Sequence, residues 1–202
     1  MSTRAFPFIL VAGGCRSGKS AYAQKILESL APVRLYAATA EVRDPDMARR
    51  VAAHQAARGE GWHTVETPLG RLPLLPSPLP EHCGVLFDCL SVWTAGRMEN
   101  GPSDEEAVMA DVRACLKFLY ALPCPVVIVA AETGLGVIPA DRTSRRFRDF
   151  SGLAAQEAAR TAHDVYFMLC GLPLCLKGTP PTIPPSHPFT NGESLHASGQ
   201  TG

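Results

Sequence analysis

The sequence predicts an α/β fold with a mostly parallel central sheet and helices on both of its faces. Three observations carry that expectation. Short runs that are apolar throughout (8–12, 85–88, 126–131) alternate with longer amphipathic stretches (19–30, 46–58, 143–161), the pattern of strands buried on both faces and joined by crossover helices. A glycine-rich loop stands at the first strand-to-helix junction. The length of 202 residues, 46% of them hydrophobic, suits one such domain. That domain is expected over 1–177, followed by a disordered Pro/Ser/Gly-rich tail over 178–202.

Along the chain, 8–12 reads as a buried strand and 19–30 as a helix, with 33–39 as the second strand. Asp44-Pro45-Asp46 supplies turn and cap chemistry for a helix over 46–58, and 62–67 is a short strand. Proline and leucine crowd 68–80, which suits a packed loop better than a helix or strand. A further strand covers 85–88. The Ser103-Asp-Glu-Glu106 stretch has the form of a capping box and opens a helix to Tyr120. Residues 126–131 form a strand, 143–161 a helix, and 164–170 the last core strand. Right-handed crossovers then gather ligands at the carboxyl ends of the strands.

Composition excludes several classes of function. With 19 basic and 19 acidic side chains the formal charge is zero, so no broad basic surface for nucleic acid is expected. No apolar run approaches the roughly 18 residues of a membrane span. The amino-terminal apolar stretch runs into the glycine loop without a cleavage-type end, unlike a secretory signal. The chain reads as soluble and cytoplasmic. Its seven cysteines are scattered without a C-x-x-C pair, and read as small buried hydrophobes in a reducing compartment, with no metal site.

Gly13-Gly14-Cys15-Arg16-Ser17-Gly18-Lys19-Ser20 is a full G-x-x-x-x-G-K-[ST] pattern between a strand and a helix. Glycines let backbone N–H groups converge on phosphate oxygens, and the helix amino end adds a favourable dipole. Lys19 is expected to reach the β- and γ-phosphates and Ser20 to ligate Mg²⁺. Asp88, ending an apolar strand, is the candidate second group on the Mg²⁺ side. Glu132 ends the next strand, as a second acid facing the phosphates or a simple loop acid. These features predict a P-loop NTPase fold. On the helix over 46–58, His54 has Arg50 at i−4 and Arg58 at i+4, placing all three on one face. Two arginines favour the neutral imidazole and attract phosphate, the combination a histidine nucleophile needs.

Taken in order, GGCRSGKS, Tyr36-Ala-Ala-Thr39, Met47-Ala-Arg-Arg-Val-Ala-Ala-His54, Gly61-Trp62-His-Thr-Val-Glu66, Asp88-Cys-Leu-Ser91, Glu132-Thr-Gly-Leu-Gly-Val-Ile-Pro139 and Arg145-Arg-Phe-Arg-Asp149 resemble the bifunctional adenosylcobinamide kinase / adenosylcobinamide-phosphate guanylyltransferases of cobalamin biosynthesis. The resemblance runs from about Phe8 to Lys177. It implies phosphorylation of adenosylcobinamide by ATP or GTP, then transfer of GMP from GTP to that phosphate through a guanylyl-histidine on His54. It further implies GTP contacts from Gly13 to Ser20, at Thr39, Ala40 and Glu41, at Gln55, Ala56, Ala57 and Arg58, and at Glu66 and Asp88, with assembly as a trimer. The family pattern has Asn where this chain has Ala131, and Asn-Gln where it has Ala155-Gln156. The guanylyl-transfer set is intact, so these departures fall on cobinamide positioning and the kinase step. The short stretch 93–102 stands where family members build a lid.

Two other readings share the phosphate loop. A different small-molecule kinase needs no reactive histidine, and label from α-labelled GTP on the protein separates the two. A non-catalytic nucleotide-sensing protein is disfavoured as a GTPase switch by the absence of an Asn-Lys-x-Asp motif.

Overall fold

Strand sequences without a polar face have to be covered on both sides, and the chain meets this by sorting its helices between the two faces of one sheet. A computed structural model describes residues 5–40, 45–56, 58–67, 70–100, 104–180 and 182. The elements run β1 (Phe8–Gly13), α1 (Lys19–Leu30), β2 (Val33–Ala38), α2 (Pro45–Ala56), β3 (Trp62–Glu66), β4 (Cys83–Asp88), α3 (Leu90–Asn100), α4 (Glu105–Ala121), β5 (Val126–Ala131), α5 (Arg142–Thr161), β6 (Asp164–Leu169) and β7 (Leu172–Lys177). The seven strands are ordered β3-β2-β4-β5-β1-β6-β7. All neighbours pair in parallel except β6 and β7.

Alternation along each strand divides the core in two. Ile9, Val11, Tyr36, Leu86, Val127 and Val129 face Tyr22, Ala23, Ile26 and Leu27 of α1. Phe8, Leu10, Leu35, Phe87 and Ile128 face α3, α4 and α5 through Leu90, Trp93, Val112, Leu116, Leu119, Ala154 and Ala158. Each fully buried aliphatic or aromatic side chain contributes about 1.5–3 kcal/mol. Handedness explains the sorting. The chain moves one way along the sheet from β1 to β2 and the other way from β4 to β5 and from β5 to β6, so right-handed crossovers put α1 opposite α3, α4 and α5. The reversal leaves a crevice at the carboxyl ends of β1 and β4, beside the glycine loop.

Several boundaries differ from the sequence expectations. The stretch 93–102 is no lid over its described part: Leu90–Asn100 is the core helix α3, with Leu90, Trp93 and Thr94 buried. Its apolar stripe at i, i+3 and i+4 is masked by Gly96 and Arg97. Trp93 Nε1 donates to the Arg71 carbonyl at 2.6 Å, fastening the proline-rich loop as far as it is described; residues 68–69 lie outside the described set. The last strand of the sheet is β7, not β6. Cys170 and Gly171 both have positive φ, 53° and 80°, and form the two-residue hairpin turn that reverses the chain. The cap of α4 is Asp104, which accepts from the Ala107 N–H at 2.9 Å; Ser103 lies outside the described residues. Helix α2 ends at Ala56, so Arg58 stands beyond it, its N–H donating to the Gln55 carbonyl at 3.2 Å. Of the expected tail, only 178–180 and 182 are described. No described helix is long and apolar enough to cross a membrane.

Helix α5 is capped at both ends. Asp141 accepts from the Ser144 N–H at 2.8 Å, and Lys177 Nζ donates to the carbonyls of Ala159, Arg160 and Ala162 at the other end, each charge matching the dipole. The Ser144 N–H holds the Asp141 carboxyl below its ordinary value of 3.8. Folding therefore favours the charged form: this contribution is present above the ordinary value and is lost as pH falls through the lowered one. Asp141→Asn keeps a capping oxygen without the charge, so its urea midpoint will fall less than that of the unsubstituted protein between about pH 4 and pH 2.

Candidate active site

The amino end of α1 is shaped by residues that leave its N–H groups facing outward. Gly18, the residue before the helix, has φ 88° and makes no side-chain cap. Arg16 also adopts positive φ, at 55°, unusual for a residue with a Cβ. Gly13 has no room for one: a Cβ there would lie 2.6 Å from Ser17 Oγ and 2.7 Å from the Met168 carbonyl oxygen. Lys19 Nζ folds back onto the Gly14 carbonyl at 3.1 Å, closing the loop with its own charge. Ser17 Oγ is buried and has no hydrogen-bond partner among the described residues, a donor that a phosphate oxygen in the loop would satisfy. The hairpin turn between β6 and β7 lies alongside, with Gly171 Cα 3.6 Å from where a Gly18 Cβ would stand.

From this loop the candidate residues follow the strand ends across the sheet. Asp88 ends β4, two strands from β1; Thr39 follows β2, three strands away, and Glu66 ends β3, four away. At about 4.8 Å per strand these stand roughly 10, 14 and 19 Å from β1. Asp88 projects to the α1 face, two residues beyond Leu86 on the same strand. Its Oδ2 accepts from the Tyr36 hydroxyl at 3.1 Å. Burial first, then the Asp88 carboxylate, raise the Tyr36 hydroxyl well above its ordinary 10.0, while Arg58 lowers it, so it stays a proton donor. Burial and then Asp88 also push the Cys89 thiol up to about 12.

Side chains hold these ends where the backbone ladder stops. Thr39 Oγ1 accepts from the Cys89 N–H at 2.6 Å and donates to its carbonyl at 2.9 Å. Ser91 Oγ accepts from the Ala131 N–H at 2.9 Å and donates to its carbonyl at 3.2 Å. The Glu132 N–H then donates to the Gly13 carbonyl at 2.9 Å. β2, β4, β5 and β1 are thereby linked in sequence at the level of the site. The Thr39 hydroxyl is spent on Cys89, which leaves its backbone, with Ala40, as what it can offer a ligand. The Glu132 carboxylate closes its own turn onto the Gly134 N–H, the loop-acid arrangement in this state. Arg148 donates to the Gly134 carbonyl at 2.6 Å, and Arg145 to the Pro139 and Ala140 carbonyls at 2.9 and 2.6 Å; the Arg145–Asp149 motif thus pins the Glu132 loop.

The remaining candidates divide by what is described. His54 lies in the last turn of α2, and its side chain, like that of Arg50, is outside the described residues, as are Glu41 and Ala57. Gln55 and Ala56 are exposed, and among the described α2 side chains only Val51 is partly covered. Arg58, expected on the helix face with His54, instead lies with Cζ 3.9 Å from the centre of the Tyr36 ring. Helix α2 is too short to carry it there as a helical residue. Reasoning from sequence missed Tyr36 and Ser91 as site residues; the Y-x-x-T and D-x-x-S spacings across the ends of β2 and β4 were the available signal. A cleft of about 600 Å³ lined by Phe6, Leu30, Leu79, His82 and Pro123 lies at the amino ends of the strands, the wrong end for the phosphate loop.

An unblocked helix amino end behind a glycine loop, with a carboxylate on the same sheet face, defines a P-loop nucleotide-binding protein. The solved structure of PH0250 from Pyrococcus horikoshii OT3 shares this fold, with a TM-score of 0.50 and 10% identity over 87% of this chain and 88% of that one. The model of the family described as cobinamide kinase / cobinamide phosphate guanyltransferase matches residues 9–176, and the chain belongs to that family. It is 37% identical over 171 residues to the bifunctional adenosylcobalamin biosynthesis protein CobP of Pseudomonas aeruginosa, covering 85% of this chain and 98% of that protein. It is 31% identical over 180 residues to the bifunctional adenosylcobalamin biosynthesis protein CobU of Escherichia coli, covering 84% and 99%.

The double bond of Ser91 to Ala131 has a measurable worth. Ser91→Ala leaves both backbone groups without that partner, so the urea midpoint will fall by the equivalent of about 1–3 kcal/mol at unchanged slope.

Proposed function

We propose that the chain catalyses both reactions its family is named for. A terminal phosphoryl group passes from ATP or GTP to the aminopropanol hydroxyl of adenosylcobinamide. GMP then passes from GTP to that phosphate through a covalent guanylyl-His54, yielding adenosylcobinamide-GDP and pyrophosphate. The observation that carries this reading is the phosphate loop at the amino end of α1 with Asp88 on the same face, in a chain that matches the family over residues 9–176. The two relatives named above, both called bifunctional adenosylcobalamin biosynthesis proteins, support it. The outward row of Leu172, Leu174 and Leu176 on β7, exposed by 53–60%, is an apolar face that the expected trimer would cover.

In this reading the loop amides from Gly13 to Ser20 take the β- and γ-phosphates, with Lys19 swinging from the Gly14 carbonyl onto them. Ser20 and Asp88 offer the hard oxygen donors Mg²⁺ takes, and would hold it on the α1 face. Mg²⁺ neutralises charge on the phosphate oxygens when bound. Thr39, Ala40, Glu41, Gln55, Ala56, Ala57, Arg58 and Glu66 extend the nucleotide contacts along the strand ends. A His54 ring nitrogen attacks the α-phosphorus; the new P–N bond forms as the bond to pyrophosphate breaks. The cobinamide phosphate oxygen then attacks the same phosphorus and releases the imidazole.

Mass spectrometry after incubation with GTP and Mg²⁺ will show one GMP adduct on the peptide carrying His54. His54→Ala will abolish it, and Lys19→Ala will slow its formation roughly a hundredfold or more. An adduct that survives His54→Ala overturns the assignment of the nucleophile.

Ala131 pairs in register with Gly13 and follows Val127 and Val129, which face α1, so a side chain there is directed toward the phosphate loop. Ala131→Asn restores the amide of the family pattern at this point. Phosphorylation of adenosylcobinamide is expected to rise roughly three- to tenfold, with GMP uptake from GTP unchanged.

A further inference from the structure

Two groups from distant parts of the chain meet on one side chain. Tyr36, 9% exposed, receives the Arg58 guanidinium over its ring at 3.9 Å and directs its hydroxyl to Asp88 Oδ2 at 3.1 Å. The ring is itself held at its edge by Trp62, with centroids 6.4 Å apart, and Trp62 is fixed by Nε1 donating to Glu28 at 3.1 Å. Arg58 is further steadied by Thr64 Oγ1 at 3.4 Å. A phenylalanine would fill the same volume in the core, so packing does not explain the hydroxyl. A leucine would bury apolar surface without a face for a cation. Tyrosine supplies both with only two side-chain torsions, giving a stiff link between them. Arg58 follows His54 by four residues, and Asp88 stands on the side of the sheet that holds Ser20.

From this geometry we propose that Tyr36 is a positioning residue joining the segment after His54 to the metal-side carboxylate. Its ring seats Arg58, its hydroxyl orients Asp88, and the two halves of the guanylyl-transfer site are held in register through one side chain. The inference rests on the guanylyl-transfer reading above.

Two variants separate the two contacts. Tyr36→Phe keeps the ring and removes only the hydroxyl. With a non-hydrolysable GTP analogue at saturation, the Mn²⁺ dissociation constant read by electron paramagnetic resonance will rise roughly three- to tenfold, while the thermal midpoint stays within a few degrees. The Mg²⁺ concentration that half-saturates its GMP uptake will rise by a similar factor. Tyr36→Leu removes both contacts; it will show the same Mn²⁺ shift and a slower maximal GMP uptake. Adding Arg58→Ala to Tyr36→Leu will then slow uptake no further, although Arg58→Ala alone does. Should Tyr36→Leu fail to fold, Tyr36→Met, which keeps apolar bulk without a ring face, takes its place in the same comparison with Arg58→Ala. An unchanged Mn²⁺ constant in Tyr36→Phe, or an Arg58→Ala protein with unaltered uptake, overturns the proposal. Absence of GMP uptake by the unsubstituted protein overturns the guanylyl-transfer reading instead, and the Mn²⁺ measurement still tests the link to Asp88.

Discussion

The first N–H groups of α1 have no partners inside the helix, and the fold holds them open at the carboxyl edge of the sheet. Gly18 begins the helix without a side-chain cap, and Gly13 is packed so tightly against Ser17 and Met168 that the loop has one path. A chain with formal charge zero cannot draw a triphosphate by its overall field. The attraction has to be local: loop amides, the helix dipole and Lys19. Every other part of the site takes its place from where that helix starts.

Parallel strands running to a common edge would leave uneven, unpaired backbone there. Thr39 and Ser91 close those gaps, each with one hydroxyl that both accepts from an N–H and donates to a carbonyl. The Glu132 N–H finishes the series at Gly13. Arg145 and Arg148 act similarly on the 132–139 loop, filling carbonyls that no strand or helix satisfies. Rigidity at this edge therefore comes from a few polar side chains, whereas rigidity below it comes from the two apolar layers.

The parts of this architecture legible in the sequence were those encoded locally. The phosphate loop, the extent of α1 and the apolar strands β1 and β5 depend on nearest neighbours in sequence, and the alternation of strand and helix announced a parallel sheet. α3 was hidden because its stripe is short and interrupted by Gly96 and Arg97. β7 was hidden because a strand exposed on one face lacks the continuous apolar run of a central one; its alternating leucines and the Cys-Gly turn were the only local trace. Arg58 was misplaced by extending a helix two residues past its end. The partnerships of Tyr36 with Asp88 and of Ser91 with Ala131 span 52 and 40 residues, and side-chain meetings at that separation follow from strand order, which no local pattern states.

The β6–β7 hairpin has a consequence for traffic into the cleft. A further parallel crossover at that edge would carry the chain off behind the sheet and leave both flanks of the loop exposed. The antiparallel return instead sets its Cys170-Gly171 corner against Gly18, a fixed doorpost on one side of the triphosphate seat. That corner walls the glycine loop on its β6 side, and the row of strand ends from β5 through β4 to β2 runs away from the loop on the other.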